Sequence, residues 1–321
     1  MQYVIRLTNL TKRYGAETAL DDVSFEVPPG VVFALLGENG AGKTTSIRIM
    51  LGLTEPDSGQ VEVLGMDSCT QGLEIRQRVG YVPERPTLYD WMTVAEIGWF
   101  TAGFYGDGYE SRYRQFAQEF KLPLSRRLKA LSKGMRAKVA LSLAMAHEPQ
   151  LLILDEPTSG LDTLVRRDFL ESMVDLAASG QTVLLSSHQI GEVERVADIV
   201  AIVRDGHLLL VEPLDQLKAD VRQLTITLAD GATRPPILSA ELLRERRHGR
   251  QWQLLVGGSA DGEVDRLRAD PNVSSLEVHA PSLEEILPIW KRPTRRPAKP
   301  APPHHRPRRQ RSDEYPRLNE R

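Results

Sequence analysis

Gly37-Glu38-Asn39-Gly40-Ala41-Gly42-Lys43-Thr44 directly follows the apolar run Val31 to Leu36 and fits the spacing G-x-x-x-x-G-K-[ST]. The chemistry of that spacing is anion capture. Glycines let successive backbone N–H groups curl around a phosphate, and the helix they open, from Thr45 to Leu51, turns its positive end to the same anion. Lys43 is placed to reach the β and γ phosphates of a nucleotide, and the Thr44 hydroxyl to bind Mg²⁺. Gly37, Asn39, Gly40, Ala41, Gly42, Lys43, Thr44 and Thr45 are therefore expected to bind the nucleotide.

A second set of reactive residues lies downstream, where Leu151 to Leu154 runs into Asp155-Glu156. Two carboxylates after a short apolar strand fall at the edge of a sheet where phosphate-loop enzymes do their chemistry. A hard cation prefers oxygen ligands, so Asp155 is expected to hold Mg²⁺ through its waters, leaving Glu156 to act as general base. Thr182 to Leu185 reads as another strand, ending in Ser186-Ser187-His188. A neutral imidazole there is suited to hold the attacking water and to sense a γ phosphate.

These residues need a scaffold, and the pattern supplies one. Tyr3 to Leu7 and Val23 to Val27 alternate as a small β layer, and Gly59 to Leu64 and Val79 to Val82 are strand-like. Between Tyr81 and Phe120 stand 11 of the chain's 19 aromatic residues, at helical spacing. That stretch predicts a helical subdomain in which most of the rings are packing residues. From residue 150 strands and helices alternate (151–154, 163–178, 182–186, 190–196, 199–203, 207–211), the signature of an α/β parallel sheet. Short alternating runs at 224–228, 252–256 and 273–278, then a helix from Pro281 to Trp290, predict a small α+β appendage over 221–290.

Composition narrows the class. Across 321 residues there is one cysteine, Cys69, and 41% of residues are hydrophobic. A disulfide framework is excluded, no Cys/His zinc spacing occurs, and a reducing compartment is expected. No run approaches the length of a membrane span, and the N-terminus does not read as a secretion leader, so the expected location is cytoplasmic. In residues 291–321, 11 Lys/Arg face 3 Asp/Glu and seven prolines interrupt the chain. This tail carries +8, which leaves −10 of the formal −2 on residues 1–290. It reads as disordered, first as a solvated terminus and second as a weak grip on an anionic surface.

The ordered set of motifs resembles the ATP-binding subunit of an ABC transporter over about residues 1–215. It comprises the phosphate loop, a signature-like Leu131-Ser132-Lys133-Gly134-Met135, Asp155-Glu156, the aspartate loop Ser159-Gly160-Leu161-Asp162 and His188. The resemblance implies an α/β phosphate-loop NTPase fold with an antiparallel β layer and a helical subdomain inserted at about 84–148. It implies ATP and Mg²⁺ as ligands and hydrolysis as the activity. Tyr14 sits where such proteins stack an aromatic on adenine, the alternative being a Tyr packed in the β layer. The resemblance also implies a head-to-tail pair of cassettes, the same chain or a related one, with each ATP between one phosphate loop and the facing signature helix. In that arrangement Ser132 caps the signature helix, Gly134 admits the γ phosphate and Asp162 crosses between the subunits.

Two departures stand out. Lys133 and Met135 replace the family's usual Gly and Gln, and Glu84 stands where a loop glutamine is usual. Lys133 is expected to offer a cation to the γ phosphate, and Glu84 to ligate Mg²⁺ and act at the catalytic end of the site. Both resemble an export-type branch whose permease is a separate chain. The expected partners are that transmembrane permease, docked on the 84–120 segment, and a second ATP-binding subunit. No nucleic acid is expected, and membrane contact is indirect, on the inner face, aided by the basic tail. The alternatives are a soluble ABC-type ATPase and an ATP-dependent regulator.

Overall fold

In the computed structural model, which describes residues 2–219, 221–258 and 261–286, alternation builds the first layer. β1 (Ile5–Tyr14) buries Ile5, Leu7 and Leu10 and pairs antiparallel with β2 (Glu17–Val27), setting Ile5 opposite Val27 and Leu7 opposite Phe25. β3 (Val32–Leu36) is buried along its whole length and is followed by the phosphate-binding loop and α1 (Lys43–Met50). β4 (Ser58–Val63) returns to β1, and β5 (Met66–Asp67) closes a four-stranded sheet of order β2-β1-β4-β5.

α2 (Gly72–Arg78) runs into β6 (Val79–Val82), after which the chain turns helical: α3 (Val94–Ala102), α4 (Tyr109–Glu119), a short 3-10 turn and α5 (Lys133–Met145). Thr93 and Glu96 form a reciprocal cap at the start of α3. Tyr109 and Tyr113 are fully buried between these helices, and a Cβ at Gly98 would overlap the Tyr113 ring, so α3 and α4 approach closely because that residue is glycine. Of the eleven aromatics, Tyr89, Trp91, Trp99 and Phe104 are exposed while the others are at least partly covered.

β7 (Leu151–Asp155), α6 (Thr163–Ala178), β8 (Thr182–Ser187), α7 (Ile190–Val196), β9 (Ile199–Arg204) and β10 (His207–Pro213) complete the central sheet, of order β10-β9-β3-β8-β7-β6. All of its pairings are parallel except β9 with β10. Period two divides β3 between two cores. Phe33 and Leu35 face the antiparallel layer and α1, whereas Val32, Ala34 and Leu36 face α5, α6 and α7. Val32, Phe33, Leu35 and Leu36 each contribute on the order of 1.5–3 kcal/mol by burial.

α8 (Leu214–Ala219) leads to a third sheet made of β11 (Val221–Leu228), β12 (Glu241–His248), β13 (Gln251–Gly257) and β14 (Val273–His279), antiparallel in the order β12-β13-β11-β14. α9 (Asp261–Ala269) covers one face, and α10 (Leu283–Ile286) follows β14. β12 and α9 go beyond the sequence expectation. β12 reads Glu-Leu-Leu-Arg-Glu-Arg-Arg-His and carries no clean alternation because it is an edge strand, where charge blunts further pairing. The expected helix Pro281 to Trp290 is seen as Leu283–Ile286, with Pro281 and Ser282 outside the helix; residues 287–290 and the basic tail lie outside the described residues.

Candidate nucleotide site

Three adjacent parallel strands, β3, β8 and β7, deliver the reactive residues from their C-terminal ends. That is the edge of an open α/β sheet where ligands bind. The loop after β3 turns at Gly40 and Gly42 with φ of 83° and 105°, a backbone that L side chains rarely adopt, and a Cβ at Gly42 would strike Ala19 and Leu20. Lys43 is buried, with Nζ donating to Gly37 O at 2.6 Å and Glu38 O at 3.1 Å. Ala41 is buried and Asn39 and Gly40 are exposed at the loop tip, while Thr45 continues the first turn of α1.

The Thr44 hydroxyl donates to Asp155 Oδ1 at 3.2 Å, and Ser186 Oγ donates to the same oxygen at 2.6 Å. Burial pushes the neighbouring Tyr81 hydroxyl up to about 12, with the Asp155 charge adding to the shift. Glu156 has φ of 48°, held by its own N–H donating to Ser186 Oγ at 2.9 Å. That strained backbone places Glu156 Oε2 2.7 Å from His188 Nδ1 and Oε1 3.0 Å from Lys43 Nζ. Lys43, Thr44, Asp155, Glu156 and His188 thus form one connected group. Thr44 and Asp155 present adjacent hard oxygens and fit a Mg²⁺ ion that keeps water and phosphate in its shell. Among the described residues no set of three His, Cys, Asp or Glu forms a preassembled metal cluster.

The remaining predicted residues gather elsewhere. Tyr14, at the end of β1, is 48% exposed, with Lys12 Nζ 5.5 Å from its ring centre, so its face is open to stacking and it is not packed in the β layer. Ser132 caps α5 by accepting from Met135 N at 3.3 Å, and Asp162 caps α6 by accepting from Val165 N at 3.0 Å. Gly134 has a packing reason of its own, since a Cβ there would collide with Val165 of α6. Lys133 lies over Gly160, its Nζ 3.3 Å from where a Cβ on Gly160 would stand. Glu84, Lys133, Arg85, Arg136, Ser159 and Gly160 share a cleft of about 390 Å³. The Glu84 carboxylate is 3.8 Å from Arg85 Nε.

Sequence reasoning did not single out Ser186, Thr158, Arg166 or Glu192, which tie the loops together. Ser186 was in view as the residue two before His188. Glu192 stands one helical turn after His188, a spacing that carries no chemistry until the fold is known.

The comparisons agree with this geometry. The family model described as "ABC transporter" matches residues 20–159. The bacitracin transport ATP-binding protein BcrA of Bacillus licheniformis is 35% identical over 234 residues, covering 72% of this chain and 76% of its own. The Nod factor export ATP-binding protein I of Ralstonia nicotianae is 36% identical over 212 residues, covering 63% of this chain and 65% of its own. A solved ATP-binding subunit of an ABC transporter superposes with a TM-score of 0.61 at 36% identity, over 67% of this chain and 92% of that one. With the phosphate loop, the carboxylate pair and the histidine brought to one sheet edge, the chain belongs to the ATP-binding subunits of the ABC transporter family, which are ATPases.

Proposed function

We propose that this subunit drives an exporter whose membrane-spanning part is a separate permease, and that it works as a pair of cassettes, the same chain twice or one chain with a related one. ATP lies in the phosphate loop with its adenine against Tyr14 and its phosphates on Lys43 and the N–H groups of residues 37 to 45. Thr44 and Asp155 would hold Mg²⁺, which would supply charge neutralisation on the phosphates. Glu156 takes a proton from the attacking water as the water oxygen bonds to the γ phosphorus and the bond from that phosphorus to the β–γ bridging oxygen breaks, releasing ADP, while His188 positions that water.

The observation that carries this reading is the 2.7 Å contact between Glu156 and His188, beside Lys43. The signature group supports the pairing. Lys133 lies over Gly160 of the aspartate loop and Gly134 packs on Val165 of α6, which supports a second half-site on each cassette. Lys133 would add a cation to the ATP held by the facing cassette. Glu84, in the same cleft, would meet the metal and the γ phosphate when the halves close. Export is supported by the Nod factor relative, and the exposed rings of Tyr89, Trp91, Trp99 and Phe104 offer the permease an apolar landing site on the inner membrane face. No helix among the described residues is long and apolar enough to cross a membrane, which supports a pore on another chain.

Sedimentation of the Glu156→Gln variant tests the pairing. With ATP and Mg²⁺ it is expected to run as a dimer and to revert to monomer on adding a chelator. A monomer under both conditions, with ATP bound, contradicts the sandwich.

A further inference from the structure

Glu192 is 5% exposed, outside the group that meets the nucleotide, and bonded to the segments that carry Glu156 and His188. Its Oε2 accepts from Thr158 Oγ1 at 2.7 Å and from Ser187 Oγ at 3.1 Å. Its Oε1 lies 3.2 Å from Arg166 Nε as an ion pair without hydrogen-bond alignment. Thr158 is two residues after Glu156, and Ser187 immediately precedes His188. Arg166 in turn donates to Leu161 O at 3.1 Å, next to Asp162, and to Gln189 Oε1 at 2.6 Å, next to His188. One buried carboxylate therefore spans the loop after β7, the C-terminal end of β8 and the first turn of α6.

A buried carboxylate is costly unless paired and hydrogen-bonded, and a satisfied network of this kind rigidifies what it touches. Its three partners come from separate elements, so the carboxylate fixes the spacing of those elements. The Glu156–His188 contact is made by side chains from two of them. We infer that Glu192 is a positioning residue that holds Glu156 and His188 in register and couples that register to the aspartate loop at Leu161-Asp162. This rests on Glu156 and His188 being the hydrolytic pair. Glu192 itself touches no substrate: it acts on turnover and leaves nucleotide binding alone.

The test is steady-state ATP hydrolysis by Glu192→Ala and Glu192→Gln in the full-length chain, with a fluorescent ATP analogue titrated into each. Misplacing a reacting group by about 1 Å costs on the order of 100-fold, so Glu192→Ala is expected to lose about 10- to 100-fold in kcat with KM and analogue affinity within about twofold. Glu192→Gln keeps an acceptor for Thr158 and Ser187 and loses the charge facing Arg166, so it is expected to fall between Ala and wild type. It also carries the test should Glu192→Ala fail to fold. In the Glu156→Gln background, Glu192→Ala is expected to retain ATP-dependent dimerisation. A folded Glu192 variant with wild-type kcat overturns the inference, and so does a loss expressed in KM and analogue affinity at unchanged kcat. If instead wild type and Lys43→Ala release phosphate equally slowly, the ATPase reading itself fails, a result distinct from either.

Discussion

Glu156 is held at positive φ, a conformation that costs on the order of 1–3 kcal/mol for a non-glycine residue and persists only where the surroundings over-determine it. Here the surroundings are Ser186, His188 and Lys43, and what the strain achieves is a carboxylate aimed along the sheet edge. A second residue carries an effect of its own. His147 is half-buried and stacks on Tyr105, which stacks on Tyr109, and removal from water lowers its basicity below the ordinary 6.5. Its neutral form is favoured in the folded chain, so the unfolded chain binds the proton first as pH falls below about 6.5, and stability drops through that window. Thermal melts between about pH 7.5 and pH 5.5 are expected to show a shallower loss for His147→Phe, which keeps the stack and cannot titrate. Equal slopes in variant and wild type contradict this.

At the scale of elements, much of the site was legible because its motifs are local. Residues 37 to 44 specify a loop by their glycines, and Leu151 to Glu156 specifies a buried strand with two carboxylates at its end. What could not be read is what the fold brings together from afar. Thr158 and Glu192 are distant in the chain, and nothing in either sequence context marks the contact. Glu84 was legible as a departure but its neighbours were not, and β12 was hidden because an edge strand needs no alternation. The helical subdomain shows the same division, since helical spacing predicted packed rings but not which four stay exposed. Tyr89 contacts Trp91 and Phe100, and Phe100 contacts Phe104, so Tyr89, Trp91 and Phe104 are continuous with the core beneath through Phe100. Exposed contiguous apolar surface marks an interaction site. Trp99 and Phe104, 65% and 74% exposed, are expected to tolerate joint replacement by Ser with ATP turnover of the isolated chain within about twofold of wild type. Recovery of that variant with membranes containing a co-expressed permease is expected to fall, and undiminished recovery removes the patch from the interface.

Over the whole described molecule, the C-terminal sheet is continuous with the nucleotide domain. Leu255, Leu283 and Ile286 share a core with Val193 and Val196 of α7, the helix that begins just after His188, and Lys218 pairs with Glu194 of α7 at 2.7 Å. We propose that residues 221–286 unfold with the cassette as one cooperative unit. Ile286→Ala is expected to cost about 2–4 kcal/mol and to shift a single transition in urea. A separate early transition, with the nucleotide domain unmoved, contradicts that coupling.

The proposed hydrolysis depends on Glu156 as the base that activates water beside His188 and Lys43. Phosphate release from ATP by Glu156→Gln, beside wild type with nucleotide binding verified in both, tests it most directly. Loss of a positioned general base is expected to lower the rate by about 100-fold or more while ATP stays bound. A Glu156→Gln rate close to that of wild type would contradict it.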